Sequence, residues 1–314
     1  MADPACERLA LIGVGLIGSS IARAARHFGA ARHVVVMDSS PEVVSRAAEL
    51  GLADLATDDP AQAVRGADLV IVCTPVGACG DVAQSLAPHL EKGAVLSDVG
   101  SVKGAVVAQM SPHLTEPARF IPAHPIAGTE FSGPDAGFAT LFQNRWCILT
   151  PPENADAAAV EKLRTFWMRL GANVETMSVA HHDAVLALTS HLPHLIAYNI
   201  VGTADDFGDE TRSEVIKFSA SGFRDFTRIA ASDPIMWRDI FLANKDAVLE
   251  MLGRFNEDLS ALQRMIRRGD GEGLEEFFSR TREIRRSIIE QGQDTAAPDF
   301  GRRVEGQVSR SLRG

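Results

Sequence analysis

Leu9-Ala10-Leu11-Ile12-Gly13-Val14-Gly15-Leu16-Ile17-Gly18 decides the fold of this chain. The apolar run reads as a short buried strand, and the glycines behind it fit GxGxxG. Gly13 permits a tight turn, Gly15 lets backbone approach a diphosphate, and Gly18 allows close packing of the next helix. Leu16 and Ile17 open that helix, whose free N–H groups and partial positive charge favour an anion. By itself the motif is weak. Here it opens a helix from about Leu16 to Phe28, followed by a strand, His33 to Met37, that ends in Asp38. A carboxylate about twenty residues after the glycines accepts hydrogen bonds from ribose hydroxyls and repels a 2′-phosphate. Ser39 and Ser40 follow, with no arginine before Arg46. The expected cofactor is therefore NAD, with NADP disfavoured. Asp38 also fits a second reading, as a cap of the next helix.

Outward from the loop, β-branched runs alternate with helical segments. Strands are predicted at Leu69–Cys73, Ala94–Ser97, Phe120–Ile121 (within Arg119–Pro122), Trp146–Leu149 and Ala172–Met177. This is the pattern of a doubly wound, mainly parallel sheet. Thr74 and Pro75 close the fully apolar run Leu69–Cys73, and Asp98-Val99-Gly100-Ser101-Val102-Lys103 closes the next. Both loops fall at strand carboxyl ends, beside the cofactor crevice. Ser101 and Lys103 are expected to project there, although Ser101 also fits a plain helix cap. After Arg119–Pro122 comes His124, whose ordinary pKa suits proton transfer near neutral pH. A loop histidine bonded to backbone is the alternative.

From Ser178 to about Gln291 no strand is evident. Ser232-Asp233-Pro234 starts a long helix carrying Phe241, Val248, Leu252, Phe255, Leu259, Leu262 and Ile266 as one apolar stripe. A second helix carries Leu274, Phe277, Phe278, Ile284 and Ile288. So many apolar faces in so few residues predict burial against a second copy. The expected fold is thus an α/β Rossmann-like dinucleotide-binding domain over residues 1–177, then an all-α dimerisation and substrate domain over 178–300. Residues 301–314 are rich in Arg, Ser and Gly and read as a disordered tail.

The formal charge of −10 gives no support for nucleic-acid binding, which wants a basic face. No signal peptide or bilayer-length apolar stretch is evident, so a soluble cytoplasmic protein is expected. Cys6, Cys73, Cys79 and Cys147 show no CxxC spacing and read as reduced core residues. His191 and His194 share a helix face but lack acidic or cysteine companions, so no metal site is expected.

The pieces together resemble the prephenate/arogenate (cyclohexadienyl) dehydrogenases of tyrosine biosynthesis. The matching stretches are Gly13 to Gly18, Asp98 to Lys103, His124-Pro125-Ile126-Ala127-Gly128-Thr129-Glu130, Ser190-His191-Leu192-Pro193-His194, Gly222 to Ala230, and Asp233-Pro234-Ile235-Met236-Trp237. They cover nearly the whole chain before the tail. The resemblance implies oxidative decarboxylation of a cyclohexadienol: hydride leaves for NAD, carbon dioxide leaves, and an aromatic ring forms. It implies that His124 accepts the proton or hydrogen bond of the substrate hydroxyl. Ser101 corresponds to the serine that orients this histidine and touches the nicotinamide. His194 corresponds to a second active-site histidine, and Arg228 to the arginine that binds a substrate carboxylate. Glu130 is placed as a partner of Arg228, and Thr129 and Trp237 as lining residues. Each of these three also fits plain packing.

Two rivals remain. Another two-domain NAD-dependent hydroxy-acid dehydrogenase would need a catalytic lysine, with Lys217 and Lys245 available. A non-catalytic dinucleotide sensor would not need His124, Ser101, His194 and Arg228 together. Prephenate and arogenate differ only in the side chain, keto acid against amino acid, and acceptance of either or both is left open.

Overall fold

A computed structural model of the chain describes residues 3–129, 131–206 and 221–288. Glu130, Lys217 and the tail therefore lie outside the described residues. The chain divides into two compact units, Met1–Val248 and Leu249–Gly314.

The first unit is built on a parallel sheet of β1 (Cys6–Ile12), β2 (Ala31–Met37), β3 (Leu55–Thr57), β4 (Leu69–Val72) and β5 (Val95–Asp98), in the order β3-β2-β1-β4-β5. Every residue of β4 is buried, as a strand covered on both faces requires. β3 was not foreseen. It is only three residues long, and its strand character comes from pairing with β2 rather than from its own pattern. A second sheet holds β6 (Ala123–Pro125), β7 (Trp146–Leu149) and β8 (Asn173–Thr176), with β6 antiparallel to β7 and β7 parallel to β8. A bridge between Leu96 and Phe120 sets the chain entering β6 alongside β5. The predicted strand over Arg119–Pro122 is thus displaced: only Phe120 bridges, and the paired strand begins at Ala123.

Helices α1 (Leu16–His27), α2 (Pro41–Glu49), α3 (Pro60–Val64), α4 (Cys79–Leu86), α5 (Lys103–Met110) and α6 (Ala157–Arg169) cover the sheets. The larger apolar core joins Leu9, Leu11, Ile21, Val34, Val36, Leu69 and Ile71 to Phe142, Phe166 and Trp167. The opposite faces of the same strands, through Ala10, Ile12, Val35, Val70 and Val72, form a second core with Leu86, Val106 and Met110. All four cysteines are free thiols.

After β8 the described chain is helical. Ser178 caps α7 (Val179–Leu186) by accepting from His181 N–H. A π turn over Ala187–His191 leads into α8 (Leu192–Asp205). Pro193, at the start of α8, has no N–H to give the preceding turn, which accounts for the widened ladder there. Two short helices follow, α9 (Ser221–Thr227) and a 3₁₀ turn over Arg228–Ala231. Then come α10 (Pro234–Ala243), α11 (Lys245–Arg268) and α12 (Gly271–Ile288). Asp233 caps α10 as its sequence promised, accepting from Ile235 and Met236 N–H. The single long helix expected after it is broken at Asn244, whose side chain is turned inward. The first unit runs past Met177 because these helices bind to the sheet region. Val102, Trp237 and Ile240 share a small core, and Asp183 on α7 bonds to the start of α5.

Val179–Asp205, a 27-residue helical stretch with an 18-residue window of mean hydropathy 1.3, is by length and composition apolar enough to cross a membrane, where the sequence reading expected no such stretch. Its His182, Asp183 and His191 are bonded to neighbouring elements of the first unit. In the second unit, Gly269 (φ +67°) turns the chain between α11 and α12. Leu249, Leu259, Ile266, Phe278 and Ile284 are exposed there.

Candidate active site

The glycine loop fits a dinucleotide by three observations. Gly13 has φ +101°, and a Cβ there would lie 2.9 Å from the Cys73 carbonyl carbon. A Cβ on Gly18 would fall 2.0 Å from the Gly13 oxygen, so helix and loop can pack only on a glycine. At Gly15 nothing lies within 4 Å of a built Cβ, which leaves that side open to a ligand. No side chain caps α1, so the N–H groups at Leu16 and Ile17 face outward as an anion site. Asp38 accepts from Val14 N–H (2.9 Å) and Ser40 N–H (3.0 Å), tying the glycine loop to the end of β2. It does not cap α2; Ser40 does, by accepting from Val43 N–H. Asp38 keeps acceptor capacity for a ribose, since an ionised carboxylate has about four lone-pair sites. Arg46 is committed to Asp135 and Glu49, away from any 2′-phosphate role. Thr74 and Pro75 follow β4 after Cys73, and the Thr74 methyl lies 3.1 Å from a Cβ built on Gly13.

His124 lies inside β6, paired with Ile148 of β7, and not in a loop after a strand. Strand pairing holds its backbone while the half-buried ring faces the helical elements. Its Nδ1 lies 2.9 Å from Nε2 of His182, and His182 Nδ1 lies 2.8 Å from Asp183 Oδ1. Burial, then the neighbouring His182, Lys103 and His191, push the His124 pKa well below its ordinary value. Above that range the ring is neutral and can accept a proton.

Ser101 is where the sequence reading is corrected. It makes no hydrogen bond to His124, whose ring partner is His182. Nor does it cap α5. The cap position is Val102, and Asp183 reaches across from α7 to accept from Lys103 N–H and Gly104 N–H, both at 2.8 Å. A carboxylate satisfies the two orphan donors better than a hydroxyl and suits the helix dipole. Lys103, expected to project, is fully buried. Its Nζ donates to Asp98 Oδ2 (2.5 Å) and to the Ala123 carbonyl (2.6 Å), immediately before His124.

His194 donates from Nδ1 to the Ser190 carbonyl (2.8 Å) and stacks on Trp237 with ring centroids 3.7 Å apart. Burial lowers its pKa, and Arg228 adds to the effect, so Arg228 is an electrostatic neighbour of His194. Arg228 itself is exposed at the head of its 3₁₀ turn. His191 bridges the two halves of the site. It is buried beside His182, Asp183 and His194, and its pKa falls to about 4, chiefly through desolvation. Its Nδ1 faces Asn244 Nδ2 at 3.1 Å, and the same amide donates to the Asp183 carbonyl at 2.9 Å. His191 and His194 are thus bound to different partners. Among the described residues no cluster of three His, Cys, Asp or Glu side chains is arranged for a metal. Thr129 Oγ1 accepts weakly from Phe131 N–H and is otherwise a loop residue.

His182, Asp183 and Asn244 were missed by sequence reading. The signal was present for the first two: a His-Asp pair behind a serine cap, in the first turns of a helix. Asn244 resembled any polar residue within the one long helix predicted there.

Residues 21–176 match the family model for the prephenate dehydrogenase nucleotide-binding domain, and residues 178–280 match that for the prephenate dehydrogenase dimerization domain. The chain belongs to the prephenate dehydrogenase family. It is 44% identical over 282 residues to the cyclohexadienyl dehydrogenase of Zymomonas mobilis, covering 90% of this chain and 96% of that protein. It is 34% identical to the prephenate dehydrogenase of Bacillus subtilis, covering 89% of this chain and 75% of the relative. Among solved structures it resembles the prephenate dehydrogenase of A. aeolicus in complex with hydroxyphenyl propionate and NAD+. The TM-score is 0.84 at 35% identity, over 90% of this chain and 98% of the other. Family membership accounts for NAD as the cofactor of the glycine loop and for a helical region following a Rossmann-like one.

Proposed function

We propose that this prephenate dehydrogenase family member oxidatively decarboxylates prephenate, arogenate or both, with NAD as acceptor. NAD, held by the loop Gly13–Gly18 and by Asp38, would supply the acceptor for the hydride that leaves the substrate's carbinol carbon. His124 takes the hydroxyl proton from the same carbon. Carbon dioxide then leaves the opposite ring position, and the electrons of the broken carbon–carbon bond enter the ring, which becomes aromatic. The proton on His124 returns to the phenolate oxygen, so the histidine ends as it began. Arg228 anchors a substrate carboxylate, with His194 and Trp237 lining the pocket beside it. Glu130, Thr129 and Ser101 are assigned to the same pocket by resemblance alone.

The observation that carries this reading is a neutral histidine, His124, held by strand and ring contacts in the unit that contains the GxGxxG loop. We further propose a division of labour near Met177–Ser178, a homodimer formed through the C-terminal helices, and a cytoplasmic location. The break between the two matched family domains supports the first, and the dimerization-domain match the second.

The test measures NADH and product formation from prephenate and from arogenate in parallel, beside His124→Asn. NADH formation with at least one substrate is expected, and a near-complete loss of kcat in the variant. No turnover of either substrate rejects the activity. A variant that keeps most of its kcat rejects the role of His124.

A further inference from the structure

His124 is tied to a second histidine, His182, and through it to the carboxylate of Asp183. Its Oδ1 accepts from Lys103 N–H and its Oδ2 from Gly104 N–H, each at 2.8 Å, at the positive end of α5. Burial opposes ionisation, yet the bond from His182 and these two N–H groups outweigh it and hold the carboxyl below its usual range. Gly104 is what lets the carboxylate come this close, since a Cβ there would lie 2.9 Å from Asp183 Oδ2. Asn244 fixes the same residue from behind by donating to its carbonyl.

An ionised carboxylate only accepts hydrogen bonds. His182 must therefore donate from Nδ1, at 2.8 Å. In a neutral imidazole the other nitrogen is then bare. Bare Nε2 of His182 faces His124 Nδ1 at 2.9 Å, so His124 must donate from Nδ1. One consequence remains: Nε2 of His124 is left unprotonated. That is the nitrogen free to take the substrate's hydroxyl proton.

We propose that Asp183 and His182 are positioning residues that set the tautomer of His124, leaving its Nε2 bare, and that His182 holds the borrowed proton's charge between hydride loss and aromatisation. The steps balance. The substrate O–H bond breaks and an N–H bond forms at His124 Nε2. The His124 Nδ1–H bond breaks and an N–H bond forms at His182 Nε2. Asp183 stays ionised, and the reverse sequence returns the proton to the phenolate. The exchange sets the cation against a carboxylate. Lys103 completes the circuit: its backbone N–H holds Asp183, and its ammonium group holds the carbonyl that precedes His124.

This inference rests on His124 being the base, and its test separates the two. Nitrogen-15 NMR of histidine-labelled, NAD-bound enzyme reads the tautomer directly, with His124 assigned by its absence in His124→Asn. The expected spectrum shows His124 protonated at Nδ1 and bare at Nε2. Protonation at Nε2 would overturn the proposal even if His124→Asn is inactive. Kinetics supply a second arm. His182→Leu removes the acceptor and is expected to lower kcat by about 10²–10⁴-fold, the range for general-base and wrong-tautomer defects. KM for substrate and NAD should move less than about threefold. His182→Gln restores an acceptor at that site and is expected to recover at least about tenfold of the lost kcat. Equal kcat in the two variants overturns the proposal. Should His182→Leu fail to fold, the spectrum of the unaltered enzyme decides alone.

Discussion

Replacing Lys103 by methionine removes one half of a fully buried ion pair. The ammonium group and the Asp98 carboxyl are 0% and 1% exposed, and their atoms lie 2.5 Å apart. Methionine has nearly the right length, so the cavity cost is small and the loss is electrostatic. Asp98 would retain only Gly100 N–H (2.7 Å) and a long contact from Ala123 N–H (3.3 Å). The Ala123 carbonyl would lose its donor as well. Breaking a buried pair from one side costs about 3–5 kcal/mol, because the remaining group stays desolvated without its partner. For a unit of this size each kcal/mol shifts Tm by roughly 2–4 °C, so a fall of about 6–20 °C is expected. The measurement is thermal unfolding of NAD-free enzyme at fixed protein concentration, since ligand and oligomer linkage would otherwise enter. Adding Asp98→Asn should return at least about 2 kcal/mol, because a pair removed together leaves no uncompensated charge. A single variant that loses less than about 1 kcal/mol, or a double variant whose losses add, would refute the reasoning.

Three further outcomes are expected. With its pKa depressed by burial and by His182, Lys103 and His191, His124 stays neutral as pH falls below 6.5. The acid limb of kcat/KM should therefore lie well below 6.5, and an ordinary histidine limb near 6.5 would contradict this. His191 is buried with its pKa lowered to about 4. The unfolded chain then binds the proton more readily, so its contribution is full above about pH 6.5 and is lost as pH falls toward 4. The loss is on the order of 3 kcal/mol in the unfolding free energy, and His191→Gln should flatten that slope in urea titrations across this range. Asp38→Ala should weaken NAD binding and reduce the preference for NAD over NADP by about tenfold or more, measured as the ratio of kcat/KM values. An unchanged ratio would remove Asp38 from the ribose site.

The cofactor half was legible because its constraints are local. A glycine at φ +101°, a second whose Cβ would strike the loop, and an acid at the end of the next strand are each written within a few dozen residues. The sheet followed from runs of apolar residues, save β3, whose three residues carry no pattern of their own. The long helix predicted after Pro234 failed at Asn244, because an interior polar contact, not helix propensity, decides the break there.

The sequence by itself determined the βαβ start and the cofactor, and motifs spread along the chain singled out His124 as the candidate base. Only the tertiary structure decided what holds that histidine. Ser101, from a separate motif, does not bond to it; His182, about sixty residues on, meets its ring, and Asp183 meets His182 in turn. The cap of α5 came from the same distant carboxylate, and a lysine expected to project beside the cofactor crevice was drawn inside by Asp98. Hydrogen-bond partners are chosen by distance and desolvation in the folded chain, and neither is visible in the order of the residues.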